Sequence, residues 1–194
     1  MKKNFLLMLS FILILLISCK KDNTNSNATA IQGTYKLKSI SAKTNSTVTG
    51  DDGEKAITVA DYTSINNAGT VVIDGSKFTT TGLSYEVNST STASFYQDNQ
   101  FVDSFSMPFH VIIPPTSSTA PYKLIGTDSI YFQNGIMTSG LGSGEFGGNG
   151  GRYTISGNLL TIKQNGLKDS TFQESGVTFH TVESGLATVI LEKQ

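Results

Sequence analysis

Among its 194 residues the chain has no tryptophan, one cysteine, one arginine and two histidines. A single cysteine, Cys19, rules out an intrachain disulfide and any thiolate metal cluster. The lone arginine, Arg152, stands in a chain of 14 Lys+Arg against 15 Asp+Glu with no basic block, which excludes nucleic-acid binding, because that needs clustered cations against phosphates. The histidines, His110 and His180, are far apart and lack His-x-His or Glu-x-x-His spacing, so neither belongs to a metal motif. Each falls on the polar side of an alternating segment. Helical periodicity is also missing: beyond residue 18 no stretch keeps a 3.6-residue apolar period for three turns.

What is present begins at the N-terminus. Lys2-Lys3 precede an apolar run from Phe5 to Ile17, broken only by Ser10, and Leu16-Ile17-Ser18-Cys19 follows its core. A basic start, a short apolar core of about 13 residues and a small residue at the end make an export signal, too short for the roughly 20 residues that span a bilayer. The ending resembles the lipobox of bacterial lipoproteins. That resemblance implies cleavage before Cys19 and acylation of Cys19 as the new N-terminus, and at about 0.8 kcal/mol per buried methylene two or three acyl chains hold a protein firmly on a membrane. Lys20 rather than Asp after Cys19 implies delivery to the outer membrane, with the domain facing the periplasm or the cell surface. Residues 1–18 are thus read as a signal peptide, and 19–30 as a lipidated cysteine with a polar tether too poor in apolar residues to fold. Residues 31–194 then form a single domain.

Within that domain the pattern is β throughout. Ile31 to Lys38 alternates, placing Tyr35 and Leu37 on one face and Lys36 and Lys38 on the other. Thr70–Asp74 and Lys77–Thr81 flank Asp74-Gly75, a pair that favours the positive φ of a tight hairpin. Gly82–Tyr96 and Phe101–Ile113 flank Gln97-Asp98-Asn99-Gln100, and in the second run Phe101, Phe105, Met107, Phe109, Val111 and Ile113 share the parity expected to face the core. Pro108 in that run donates no ladder hydrogen bond, which asks for an edge or a bulge and a bend in a run otherwise long for a small domain. Tyr122–Ile125 and Ser129–Gln133, then Arg152–Ser156 and Leu159–Gln164 about Gly157-Asn158, make further hairpins. Thr171–Thr181 and Ala187–Glu192 close the chain, with a turn expected near Ser184-Gly185. Val59–Ile65 reads as one or two helical turns. The expectation is an all-β domain of about eight to ten strands.

No catalytic residue emerges. The chain has no Gly-x-Ser-x-Gly elbow and no carboxylate pair that stands out, so it is read as no enzyme and as carrying no cofactor. The glycine-rich stretch Gly135–Gly151 precedes a strand rather than the helix that a phosphate-binding loop requires, which makes it a long loop. Asp51, Asp52 and Glu54 crowd one turn, but Ca²⁺ wants six to eight oxygens in a defined spacing, and a solvated turn is the reading taken.

Gly33-Thr34-Tyr35 in a first strand close behind a lipoprotein tether resembles the start of the lipocalin-like lipoproteins of Bacteroidota. The Arg152–Ile162 hairpin and the closing Ala187–Glu192 strand are similar to that family's later part, with Tyr35 in place of the usual tryptophan. The resemblance implies an antiparallel up-and-down β-barrel, with a β-sandwich as the alternative, and assigns motif roles to Gly33, Tyr35 and Arg152. It further implies that Arg152 packs over the Tyr35 ring. Two readings follow: a barrel whose interior holds a small hydrophobic ligand, or a surface-interaction lipoprotein with a side-chain-filled interior. An empty or a plugged interior separates them.

Overall fold

The computed structural model describes residues 30–132 and 150–194. The expected signal sequence, Cys19, the expected tether as far as residue 29 and residues 133–149, which hold nearly all of the glycine-rich stretch, lie outside the described residues. Nine strands follow in order: β1 (Gly33–Gly50), β2 (Glu54–Thr63), β3 (Ile65–Ile73), β4 (Lys77–Gln97), β5 (Gln100–Ile125), β6 (Ser129–Phe132), β7 (Gly150–Ser156), β8 (Leu159–Glu174) and β9 (Val177–Lys193). All pairings are antiparallel, and β1 pairs with β9, so the sheet closes into an up-and-down ring. Closure sets aside the sandwich.

β1 meets β2 along its upper half and β3 at its lower end, and β4 does the same on the other side. β2 and β3 are therefore one descending strand interrupted at Ser64. The interruption is stitched rather than loose. Ser64 Oγ accepts the N–H of Ile40 at 2.7 Å and donates to Asn67 Oδ1 at 2.6 Å, while Asn67 Nδ2 donates to the carbonyl of Lys38 at 2.9 Å. These side chains supply partners to β1 between Lys36, where its pairing with β3 ends, and Ser41, where its pairing with β2 begins. Gly69 completes the crossing, because a Cβ there would meet the backbone of Gly82 and Leu83 at 2.6 Å. Val59–Ile65, expected to be helical, is thus extended: its Val, Thr and Tyr pair with β1 and β4, and tertiary pairing overrides a weak local preference.

Among the described residues the ring is complete only near its lower end. β5 pairs with β6 solely over Tyr122–Ile125, and β8 with β7 solely over Leu159–Lys163. Above these, β5, β4, β2, β1, β9 and β8 continue upward as a six-stranded sheet. Its two edges, Phe101–Thr119 of β5 and Asn165–Glu174 of β8, have no further strand alongside among the described residues. All four prolines lie on β5. Pro108 sits opposite Thr90 on the open edge without a break in register, and Pro114-Pro115 fall where the register shifts between Leu83 and Tyr85, so β5 runs 26 residues where a bend at Pro108 was expected.

The lower ring holds the buried apolar core of the described residues. Tyr35, Ile40, Ile73, Phe78, Ile130, Phe132, Leu160, Ile162 and Leu191 are all buried inside it. Phe78 is met edge-on by Tyr122 at 5.1 Å and by Phe132 at 5.0 Å, the geometry that ring quadrupoles favour. Three inward tyrosines keep partners: Tyr35 Oη donates to the Ile31 carbonyl at 2.8 Å, Tyr122 Oη to the Asp74 carbonyl at 2.7 Å and Tyr153 Oη to the Thr127 carbonyl at 3.1 Å. Loss of water around them pushes all three hydroxyl pKa values above the ordinary tyrosine range.

Two turns differ from expectation. Gly75 has no positive φ; instead Asp74 Oδ1 accepts the N–H groups of Ser76 and Lys77, each at 2.7 Å, and closes the hairpin with its side chain. The turn placed at Ser184-Gly185 lies at Ser175-Gly176, with φ of 51° and 87°, while Ser184 and Gly185 are mid-strand in β9. The expected turn at Asp98-Asn99 has φ of 50° and 62°.

Candidate functional site

Directly opposed residues in an antiparallel sheet project from the same face, so the ladder registers fix what lines the inner wall of the upper sheet. Three successive rows read Phe95–Ala56–Val48–Thr181–Ser170, then Phe105–Ala93–Thr58–Ser46–Glu183–Lys168, then Met107–Ser91–Ala60–Thr44–Gly185–Gly166. The middle columns are mostly Ala, Ser, Thr, Val and Gly, with Glu183 on β9 the long exception below the tip, and the remaining bulk stands at the flanks and the tip. One row lower, Tyr62 meets Phe109 edge-on at 5.9 Å and caps the packed core. The upper end is therefore a small-residue trough standing on a filled base.

Two aromatic pairs wall this trough near its tip. Phe95 stacks on Phe105 with centroids 5.4 Å apart and planes 17° apart, and Phe179 stacks on Phe172 at 5.2 Å and 19°. Between Phe95 and Phe179 lies a cleft of 260 Å³ floored by Val48 and Ala56 and rimmed by Glu54 and Val102. Three ladder steps separate β4 from β9, or about 14 Å. Thr181, in the row of Val48, has a buried hydroxyl with no hydrogen-bond partner. Thr181 lies behind the cleft rather than in its wall, and the polar groups that a ligand there would meet are those of Glu54, Lys55 and Gln97.

A larger hollow of 680 Å³ lies on the outer wall at mid-height, lined in part by Lys43, Asn45, Val59, Asp61 and Thr92. It is shallow, and the 2.9 Å Lys43–Asp61 ion pair occupies its charged groups with each other. The outer wall above the ring is polar on most strands, with Lys43, Asn45, Thr47 and Thr49 on β1 and Asn165, Asp169, Thr171 and Gln173 on β8. It forms no continuous apolar band of the kind that faces lipid in a membrane barrel.

Charge is divided between the two ends. Around the lower end stand Lys36, Lys38, Lys77, Lys123, Arg152, Lys163 and Lys193 against Asp74, Asp128 and Glu192. Glu192 is taken by Lys38 at 3.2 Å, Asp128 by Arg152 at 3.4 Å, and Asp74 by its turn. Around the upper end stand Asp51, Asp52, Glu54, Asp98, Asp103 and Glu174 against Lys55.

The residues singled out from sequence fall mostly elsewhere. Gly33 opens β1 and Tyr35 is in the core, but Arg152 does not pack over Tyr35: its side chain is 80% exposed, on the outer face, paired with Asp128. Lys193 lies over the Tyr35 ring instead, Nζ 5.9 Å from its centroid. The parity assigned to Phe101–Ile113 is right for Phe109, Val111 and Ile113, which pack against the core, but Phe101, Phe105 and Met107 are 61%, 46% and 43% exposed. Phe105 and Met107 share the inner face yet stand above the height at which the described residues supply a facing wall, whereas the register shift between Phe95 and Tyr96 sets Phe101 opposite Tyr96 on the outer face. His110 and His180 are outward and exposed, Nε2 3.7 Å from Glu86 and 2.6 Å from Asp169. Asp51 Oδ1 accepts the N–H of Thr178 at 3.2 Å and Asp52 Oδ1 that of Glu54 at 3.1 Å, and among the described residues no group of three or more His, Cys, Asp or Glu could hold a metal. Phe95, Phe179 and Thr181 were not picked out. The available signal was a run of small residues at period two: Thr44, Ser46 and Val48; Ala56, Thr58 and Ala60; Ser89, Ser91 and Ala93.

No family model matches the chain, and no curated protein matches it. Among solved structures it is similar to the crystal structure of Ail, the attachment invasion locus protein of Yersinia pestis, at 13% identity over 82% of this chain and 99% of that one, with a TM-score of 0.18. The structure of Ail in complex with the heparin analogue sucrose octasulfate gives 12% identity, the same coverage and a TM-score of 0.16. Scores this low describe no shared fold.

Proposed function

We propose that the chain is an exported lipoprotein, anchored at the outer membrane through acylated Cys19, and that it binds a small apolar ligand at the open end of its barrel rather than in the interior. The observation that carries the ligand site is the 260 Å³ cleft between Phe95 and Phe179, whose rings are held by stacking on Phe105 and Phe172. A cluster of buried side chains occupies the base of the barrel, which supports a site at the open end rather than in the interior. Because the outer wall is polar, attachment falls to the anchor, and the reading includes no catalytic step. The filled core also favours a second reading, a surface-interaction lipoprotein with no small ligand.

Native mass spectrometry of the detergent-extracted protein decides between them. The first reading expects a co-purifying apolar molecule that is lost in Phe179→Ala; a bare protein in every preparation favours the second. The anchor is tested in the same cells, since Cys19→Ala should leave the membrane fraction, and retention there would contradict it.

A further inference from the structure

We infer that the lower end of the barrel is a docking surface for the anionic headgroups of the membrane that carries the protein, so that the domain stands base-down with its aromatic cleft pointing away. The inference rests on the Cys19 anchor. Its own basis is the division of charge between the ends. Seven cationic side chains face three carboxylates at the base, and all three carboxylates are already engaged; the tip carries six carboxylates and one lysine. The cations come from β1, β4, β5, β7, β8 and β9, so they ring the base rather than form one patch. Arg152 and Lys163 stand directly opposite each other across β7 and β8. Such a like-charge pair weakens a ladder, and Asp128, 3.4 Å from Arg152, offsets part of that repulsion.

The chain also enters the fold at this end. β1 begins at Gly33, and the buried Ile31 just before it fixes the exit point of the segment running back to Cys19. The anchor therefore brings the basic end to the bilayer first. β1 alone carries 18 residues, which puts the acidic tip on the order of 40 Å from the base after allowing for strand tilt, several Debye lengths at physiological salt. An anionic surface thus attracts one end strongly, while close approach of the other is repelled, and the two effects favour the same orientation.

The test uses the full-length lipidated protein in vesicles with a headgroup nitroxide quencher. A fluorophore is placed on Ser76→Cys in the lower β3–β4 turn or on Gln100→Cys at the tip; Cys19, the only native cysteine, is occupied by the anchor. The ratio of base to tip quenching should rise roughly threefold from pure phosphatidylcholine to vesicles with about one third phosphatidylglycerol. It should fall back at about 0.5 M NaCl and in the combined Lys36→Gln, Lys123→Gln, Lys163→Gln protein. Retention on both vesicle types with an unchanged ratio, or stronger quenching at the tip, overturns this inference alone. Release from both vesicle types overturns the anchor with it.

Discussion

The lower ring and the upper sheet are built from the same strands, yet the alternation that buries Tyr35, Phe78 and Leu191 below leaves Phe105 and Met107 open to solvent above. The difference is the opposite wall. Among the described residues β6 and β7 are short, so an inward side chain at the base meets a facing strand and one at the tip meets none. Burial in a barrel is thus set by height as well as by parity. The base holds the molecule together, and the tip is left free to be occupied.

Sharpening that contrast begins where the effect is largest. Phe78→Ala removes a fully buried ring from between Tyr122 and Phe132, and urea unfolding should show a loss of about 3–5 kcal/mol. Phe105→Ala, on the same face by parity but above the closed ring, forfeits one stacking contact and should cost only about 1 kcal/mol. Equal losses would erase the distinction between the two regions.

Tyr85 gives a smaller and opposite effect. Its hydroxyl is buried without a partner, and burial, with the nearby Tyr62 adding to it, pushes its pKa up to about 12. The unfolded chain loses this proton near the ordinary tyrosine value of about 10. Below that pH the two states carry the same proton and the group adds no pH dependence; as pH rises from about 10 toward 12 the unfolded state is favoured and stability falls. Tyr85→Phe should therefore be neutral to slightly stabilising at pH 7 and should lose less stability than the wild type on alkaline unfolding. A clear loss at neutral pH would mean that the hydroxyl is held after all.

Much of this was readable from the chain. Alternation gave the strands, and Asp98-Asn99 and Gly157-Asn158 gave true turns. Pro108 marked an edge, and His110 and His180 read outward as they stand. What escaped depended on partners remote in sequence. Ser184-Gly185 carries the residues of a turn, yet Gly185 is held extended because Gly166 and Thr44 lie on either side of it. Val59–Ile65 is extended because β1 and β4 flank it. Arg152 sits one residue from the inward Tyr153, so its own parity turns it away from Tyr35. The cleft could not be found by looking for reactive residues, since its floor is made of small ones and its walls are ordinary phenylalanines.

Native-state hydrogen exchange followed by mass spectrometry tests the division between base and tip most directly. Strands of a packed, closed ring exchange only on global opening, whereas edges supported from one side open locally. Amides of Tyr35–Leu37, Ile130–Phe132 and Leu160–Ile162 should be the slowest in the molecule, and those of Phe101–Met107 and Leu167–Phe172 should exchange orders of magnitude faster. Uniform protection from base to tip, or a tip slower than the base, would contradict it.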